Sequence, residues 1–346
     1  VKEIIAPRQA LLGALAAFVV LVLVATVAGL DVEPTRESGA VAGSPAVLSS
    51  GDDVEGSGVE GSGVERSGVE GSGVEEAPVL ARRAPVAELP HGGTEVFDGR
   101  ILVAYYGTGG TGALGVLGET TPDRAVRRLR RAAKPFGRPG RPAVPVFELI
   151  VTVADGTPGK DRDFSHDIAR EQVRRYIRAA HRHEVMLVLD LQTGRSDFLD
   201  VAKRWTWALR HPHVGLALDP EWRMGRHGVP GQRIGSVSAA EVNRTSRWLS
   251  RLVRREHLPQ KIFMLHQFRR EMIPNLAKVN RRRNLALVQH VDGFGTPGQK
   301  LDTYRHVAAP RKFHMGFKLF YDEDVRRMSP AKVKRIRPEV EFVSFQ

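Results

Sequence analysis

The chain is 346 residues long, with 52 Lys and Arg against 39 Asp and Glu for a net charge of +13, and it contains no cysteine. That excludes disulfides, thiol nucleophiles, thiolate metal ligands and a lipid-bearing cysteine. Charge is divided unevenly: residues 31–95 carry 13 acids and 4 bases, whereas residues 96–346 carry 46 bases and 25 acids, a net of +21.

Residues 10–30 are uncharged and mostly apolar. At 1.5 Å per residue a helix of that length spans roughly the 30 Å hydrocarbon core of a bilayer. Lys2 and Arg8 precede this run, and Asp31, Glu33 and Glu37 follow it. The positive-inside rule then leaves residues 1–9 in the cytoplasm and the rest outside as a single-pass protein. A secretory signal cleaved near Thr26-Val27-Ala28 is the competing reading. Residues 31–95 are rich in Gly, Ser, Val, Glu, Pro and Ala, and residues 51–75 form five pentads, each ending in Val-Glu. One Val per pentad builds no core and the glutamates repel one another, so the expected form is an extended, disordered tether.

Roughly 250 residues remain from position 96, enough for one large domain. Apolar runs occur at 101–106, 144–153, 185–191, 214–218, 262–265, 285–291, 313–321 and 340–345, giving eight candidate strands. Helix-start signals lie between them: Thr121-Pro122, Ser196 ahead of Phe198 and Val201, the capping-box pattern Ser238 to Glu241, Pro297, and Ser329-Pro330. Continuous apolar strands alternating with helices, without hairpin turns, predict a parallel sheet closed as a (β/α)8 TIM barrel over 96–346. The eighth run ends with the chain, so a closing helix is not expected, and residues 78–98 are candidates to cover the gap.

Side chains alternate across a strand. If the bulkier apolar set of each run faces the helices, the opposite set turns polar toward the C-terminal mouth, where barrel active sites sit. Tyr106 closes the first run, Glu148 lies on the second, Asp190 and Gln192 on the third, Asp219 and Glu221 at the end of the fourth. The fifth offers His266 with Gln267 beside it, the sixth His290 and Asp292, the seventh Lys318. Tyr106 and Trp222 could stack against a sugar ring. The long loop at 223–235 is a candidate wall or lid, and Tyr321 to Asp324 reads as a solvated acidic loop.

Other chemistries are weakly encoded. The H-x-H spacings, His181-Arg182-His183 and His211-Pro212-His213, precede the third and fourth strands and fall at the opposite rim, so no metal is expected. Gly107 to Gly112 spells G-x-G-x-x-G, but the acid expected some 20 residues on is absent, so the loop reads as a flexible rim and no cofactor is expected. No nucleophile elbow is present. The basic stretches lack interleaved aromatics, so nucleic acid is not an expected partner. Paired carboxylates beside an aromatic suit cleavage of a glycosidic bond.

Gly215-Leu216-Ala217-Leu218-Asp219-Pro220-Glu221 resembles the fourth-strand signature D-G-x-D-x-D-x-E of glycoside hydrolase family 18, the chitinase-like barrels, and residues 101–106 resemble that family's first strand. The resemblance implies Glu221 as general acid and Asp219 as the residue that orients an N-acetyl group. Val214 and Ala217 stand where the family carries its two earlier acids. Asp190 and Asp292 are then the alternatives for a second carboxylate. The resulting expectation is a membrane-anchored, extracytoplasmic, glycoside hydrolase-like barrel acting on a cell-envelope polysaccharide. The alternatives are a non-catalytic barrel that binds anionic wall polymer, or a phosphodiesterase-type barrel using His266, His290 and Lys318.

Overall fold

The computed structural model describes residues 86–346; the expected membrane segment and the pentad repeats lie outside the described residues. Among the described residues, no helix is long and apolar enough to cross a membrane. The described residues form nine strands: β1 (Ile101–Thr108), β2 (Ala143–Ala154), β3 (Ser165–Asp167), β4 (Met186–Leu191), β5 (Val214–Leu218), β6 (Lys261–His266), β7 (Leu285–Val291), β8 (His314–Leu319) and β9 (Val340–Phe345). Their order is β1-β9-β8-β7-β6-β5-β4-β2-β3, and β1 also pairs with β2. Eight parallel strands therefore close into a barrel. The exception is β3, a short strand antiparallel to β2, which the sequence patterning did not reveal because its three residues are too few to show alternation.

The two-residue period explains both layers of the core. Leu102, Ala104, Val146, Val188, Ala217, Met264, Val288 and Phe342 pack inside the barrel. Val103, Phe147, Leu189, Leu216, Phe263, Leu287, Phe317 and Val343 face outward. They meet the apolar stripes of helices α1 (Pro122–Ala133), α2 (Arg170–Arg182), α3 (Phe198–Arg204), α4 (Thr206–Leu209), α5 (Ala239–Arg255), α6 (Pro297–Val307) and α7 (Pro330–Val333). Trp205, between α3 and α4, is fully buried and its indole donates to Thr152 Oγ1 at 3.0 Å.

Several local expectations are corrected. The folded body begins before residue 96: Leu89, Val96 and Phe97 are buried among the inward side chains of the strands, and Phe97 stacks on His314 at the start of β8. They seal the N-terminal end of the barrel. Asp197, not Ser196, caps α3, because the Ser196 hydroxyl is engaged by Asp163. Ser238 caps α5, but the Glu241 carboxylate turns away from it to accept from the Phe198 amide and from Arg223. The crossover from β6 to β7 carries two 3-10 turns, Arg270–Met272 and Leu276–Lys278, in place of a helix.

Candidate active site

The inward residues at the C-terminal ends of the strands converge on one cluster. β1 supplies Tyr106, β2 Glu148, β4 Asp190, β6 His266, β7 His290, β8 Lys318 and β9 Ser344, while Asp292 follows directly after β7. All of these are buried. Tyr106 Oη donates to Asp190 Oδ2 at 2.9 Å, and Gln192 Nε2 donates back to Tyr106 Oη at 3.3 Å. His266 Nδ1 lies 2.9 Å from Asp292 Oδ2, and Lys318 Nζ approaches the same oxygen at 3.7 Å. On its other side, His266 Nε2 lies 3.1 Å from Glu148 Oε1, close enough for charge attraction but without the alignment of a hydrogen bond, and 3.7 Å from Asp190 Oδ1.

Glycine makes room for this floor. A Cβ on Gly316 of β8 would stand 2.5 Å from His290 Cδ2 and 3.0 Å from its Cα. We expect Gly316→Ala to cost about 1–3 kcal/mol, because the imidazole it displaces is enclosed. A denaturation midpoint equal to that of the parent chain would contradict this.

Two more carboxylates lie at the C-terminal end of β5. The strand β5 ends at Leu218, and Pro220–Trp222 forms a 3-10 turn capped by the Asp219 carboxylate, which accepts from the Glu221 amide at 3.3 Å. The sequence placed Glu221 on the same strand face as Asp219. It sits instead on the turn, half-buried, where Asp292, Lys318, His266 and Arg269 are the charges that act on it most. Crowding by protein pushes its carboxyl up to about 8, with Asp292 adding to the effect and Lys318 opposing it.

The other acids differ by environment. Burial raises Asp219 well above the carboxylate range and lifts Asp190 to about 6, in both cases against the pull of His266. Burial also works to raise Asp292, but the hydrogen bond from His266 and the charges of His266 and Lys318 outweigh it and hold it below its ordinary value. His266 is driven upward, because Asp292 and Glu148 overcome its own burial. His290 is pushed down by burial and by the charges of His266 and Lys318, and its Nε2 lies 3.0 Å from Ser344 Oγ.

Three expected roles are corrected by these contacts. Tyr106 is not an open stacking platform: Lys318 Nζ covers its ring at 3.6 Å and its hydroxyl is committed to Asp190. Gln267 has the opposite strand parity and leaves the mouth, accepting from Gln289 at 2.7 Å beneath α6. His266 and His290 have no exposed surface, so a phosphodiester mechanism lacks an accessible histidine. Trp222 stays half-buried beside Glu221.

The surrounding loops are built, not loose. In the glycine-rich stretch from the end of β1, a Cβ on Gly107 would stand 2.8 Å from the Gly115 carbonyl oxygen and one on Gly118 would collide with the carbonyl oxygens of Thr108 and Thr111, so these two glycines serve close backbone packing. The 223–235 loop is pinned by Arg223, which pairs with Glu241 at 2.9 Å and donates to the Arg195 and Met224 carbonyls. Asp324 is buried against Lys300 at 2.7 Å and is not part of a solvated acidic loop. The residues that sequence reasoning missed are Ser344 and Arg269. The alternation of β9 around Phe342 is enough to place Ser344 inward.

The class defined by these features is a parallel β/α barrel with a charged mouth at the C-terminal ends of its strands. No family model matches the chain, and no curated protein matches it in sequence. The family 18 resemblance therefore stays confined to the fourth-strand and first-strand residues. Among solved structures the chain is similar to Plasmodium falciparum HPPK-DHPS with pteroate, at 10% identity over 65% of this chain and 42% of that one, with a TM-score of 0.35. It is also similar to a hyperthermophilic endo-beta-1,4-glucanase in complex with substrate, at 8% identity over 58% of this chain and 76% of that one, with a TM-score of 0.32. The chain thus spans less than half the length of the first of these.

Proposed function

We propose that the barrel is a glycoside hydrolase-like enzyme that cleaves a cell-envelope polysaccharide, with Glu221 as proton donor. The observation that carries this reading is that Glu221, half-open on its turn, lies within charge range of Asp292, whose carboxylate is held by His266 at 2.9 Å and approached by Lys318 at 3.7 Å. One acid that keeps its proton beside one that is pinned as an anion is the division of labour that glycosidic cleavage uses. Glu221 protonates the leaving oxygen while Asp292 stabilises the oxocarbenium-like carbon or activates water. In this reading residues 10–30 are the membrane anchor, and the Gly- and Ser-rich sequence after them is a tether.

The test is release of reducing ends from purified envelope polysaccharides by the full chain, with Glu221→Gln as the control. No release from any of them would remove the hydrolase reading.

A second reading has its own support. Arg282 is pushed down by partial burial and by Arg247, Arg254 and Arg251, which marks a crowded cationic patch between α5 and the start of β7. Such a patch concentrates anionic polymer by long-range attraction. Under this reading the barrel retains wall polymer without cutting it, and Glu reversals of Arg247 and Arg251 abolish retention while Glu221→Gln does not.

A further inference from the structure

We infer that the floor of the mouth binds one divalent transition-metal ion through Glu148, His266 and His290, with Asp190 as a fourth donor.

The argument starts from which polar atoms are satisfied. Each histidine uses one ring nitrogen: His266 Nδ1 meets Asp292 Oδ2 at 2.9 Å, and His290 Nε2 meets Ser344 Oγ at 3.0 Å. The other nitrogen of each, His266 Nε2 and His290 Nδ1, has no hydrogen-bond partner, nor do Asp190 Oδ1 and the two carboxylate oxygens of Glu148. Leaving such atoms buried and unpaired costs roughly 1–3 kcal/mol apiece, more when they are charged. Here they are gathered in one place: one donor atom each from Glu148, His266 and His290 lies within 4.8 Å of the others.

The spacing suits a shared ion. Two ligands about 2.1 Å from one metal are about 3.0 Å apart at a right angle and about 3.4 Å apart in a tetrahedron. His266 Nε2 stands 3.1 Å from Glu148 Oε1 and 3.7 Å from Asp190 Oδ1. Against the tetrahedral separation of about 3.4 Å, a pair as wide as the 4.8 Å bound would have to close by up to about 1.4 Å when the ion binds.

The outer contacts fit as well. Metal-bound histidines hand their second ring nitrogen to a carboxylate or another polar group, which fixes the ring and its tautomer. Asp292 and Ser344 stand in those two places. A metal-free network with a proton on His266 Nε2 accounts for that atom's approach to Glu148. It leaves His290 Nδ1 and Asp190 Oδ1 without partners. Two imidazoles with carboxylates and no thiolate select zinc or a neighbouring divalent ion, and disfavour calcium and magnesium, which prefer all-oxygen sites. The inference shares His266 and Asp292 with the hydrolase reading but makes no use of Glu221.

The experiment is chelation of the full chain followed by titration with zinc chloride or magnesium chloride, with bound metal measured by elemental analysis after desalting. One zinc per chain and no magnesium are expected. Glu148→Gln and His290→Gln should each weaken zinc binding by more than about 100-fold, and Ser344→Ala by about 10-fold. Glu221→Gln and His213→Gln should keep the full complement. If the ligand variants do not fold, X-ray absorption of the zinc-loaded parent decides, because two imidazoles are required in its first shell. A chain that holds no zinc overturns the site. So does zinc that survives His290→Gln but is lost in His213→Gln, which would place it at the opposite rim. Zinc bound without hydrolysis of any polymer ends the hydrolase reading alone, and hydrolysis by a chain that binds no zinc ends the metal site alone.

Discussion

Replacing Glu221 by Gln should lower polysaccharide cleavage by about 10²–10⁴-fold and leave polymer retention as it was. The amide keeps the size and the hydrogen bonding of the carboxylic acid but has no proton to give to a leaving oxygen. The same substitution should also change the pH profile. With its carboxyl raised to about 8, Glu221 stays protonated through neutrality, and cleavage is lost as pH rises through that value. The acid limb lies lower, because Asp292 is held below the ordinary carboxylate value and must lose its charge before its contribution disappears. Initial rates across pH 4 to 10, on the order of one measurement per half unit, would read both limbs. A parent chain whose activity continues undiminished above about pH 9 would exclude Glu221 as the donor, whatever the fold-loss in the variant.

Much of this site was legible because strand alternation is a strong physical constraint. Once one face of each strand must meet helices, the identity of the other face follows, and it brings Glu148, Asp190, His266, His290 and Lys318 to one end of the barrel. The same rule failed at Glu221, because it assumes an extended chain and Pro220 turns the backbone out of the strand after Asp219. Glu221 nevertheless came to the mouth, through the turn and not through parity. Tyr106 shows a different limit. Its inward direction was readable, whereas the ammonium of Lys318 lying over its ring depends on two strands whose neighbours are fixed only by barrel closure.

The candidate metal ligands were hidden for a related reason. Spacing motifs such as H-x-H work only when ligands share one element, and here Glu148, Asp190, His266 and His290 come from four strands. The two H-x-H spacings present, at His181 and His183 and at His211 and His213, lie just ahead of β4 and β5 and so at the other rim. Helix signals were read less well than strand signals, because a hydroxyl or carboxylate near a helix start has several amide and guanidinium partners to choose from. Ser196 and Glu241 both took partners across the loop instead of capping.

Removing the buried acid behind β8 should produce the largest loss of stability. Lys300 and Asp324 pair at 2.7 Å with side-chain exposures of 1% and 0%. Asp324→Ala would leave an ammonium enclosed with only the Lys318 carbonyl, 2.9 Å away, as its partner. Breaking such a pair on one side costs about 3–5 kcal/mol, which for a domain of this size lowers the thermal midpoint by roughly 10 °C. Burial brings the Lys300 ammonium down to about 8 from 10.5, with Asp324 opposing the fall. Between those two values the unfolded chain holds a proton that the folded chain has released, so this residue's contribution to stability rises with pH across that window. Without Asp324 the folded-state value drops further, and the rise should begin below pH 8. The Lys300-linked part of the variant's deficit should therefore be complete below the variant's own folded-state value and fade as pH rises through about 8, where the parent's Lys300 also gives up its proton. The consequence reaches the mouth, because Asp324 also accepts from the Phe320 amide at 3.0 Å and Lys300 holds the carbonyl of Lys318, so the pair fixes the end of the strand that carries Lys318. An Asp324→Ala chain that melts with its parent at every pH would mean that water reaches Lys300, and that the end of β8 is held by its strand pairing alone.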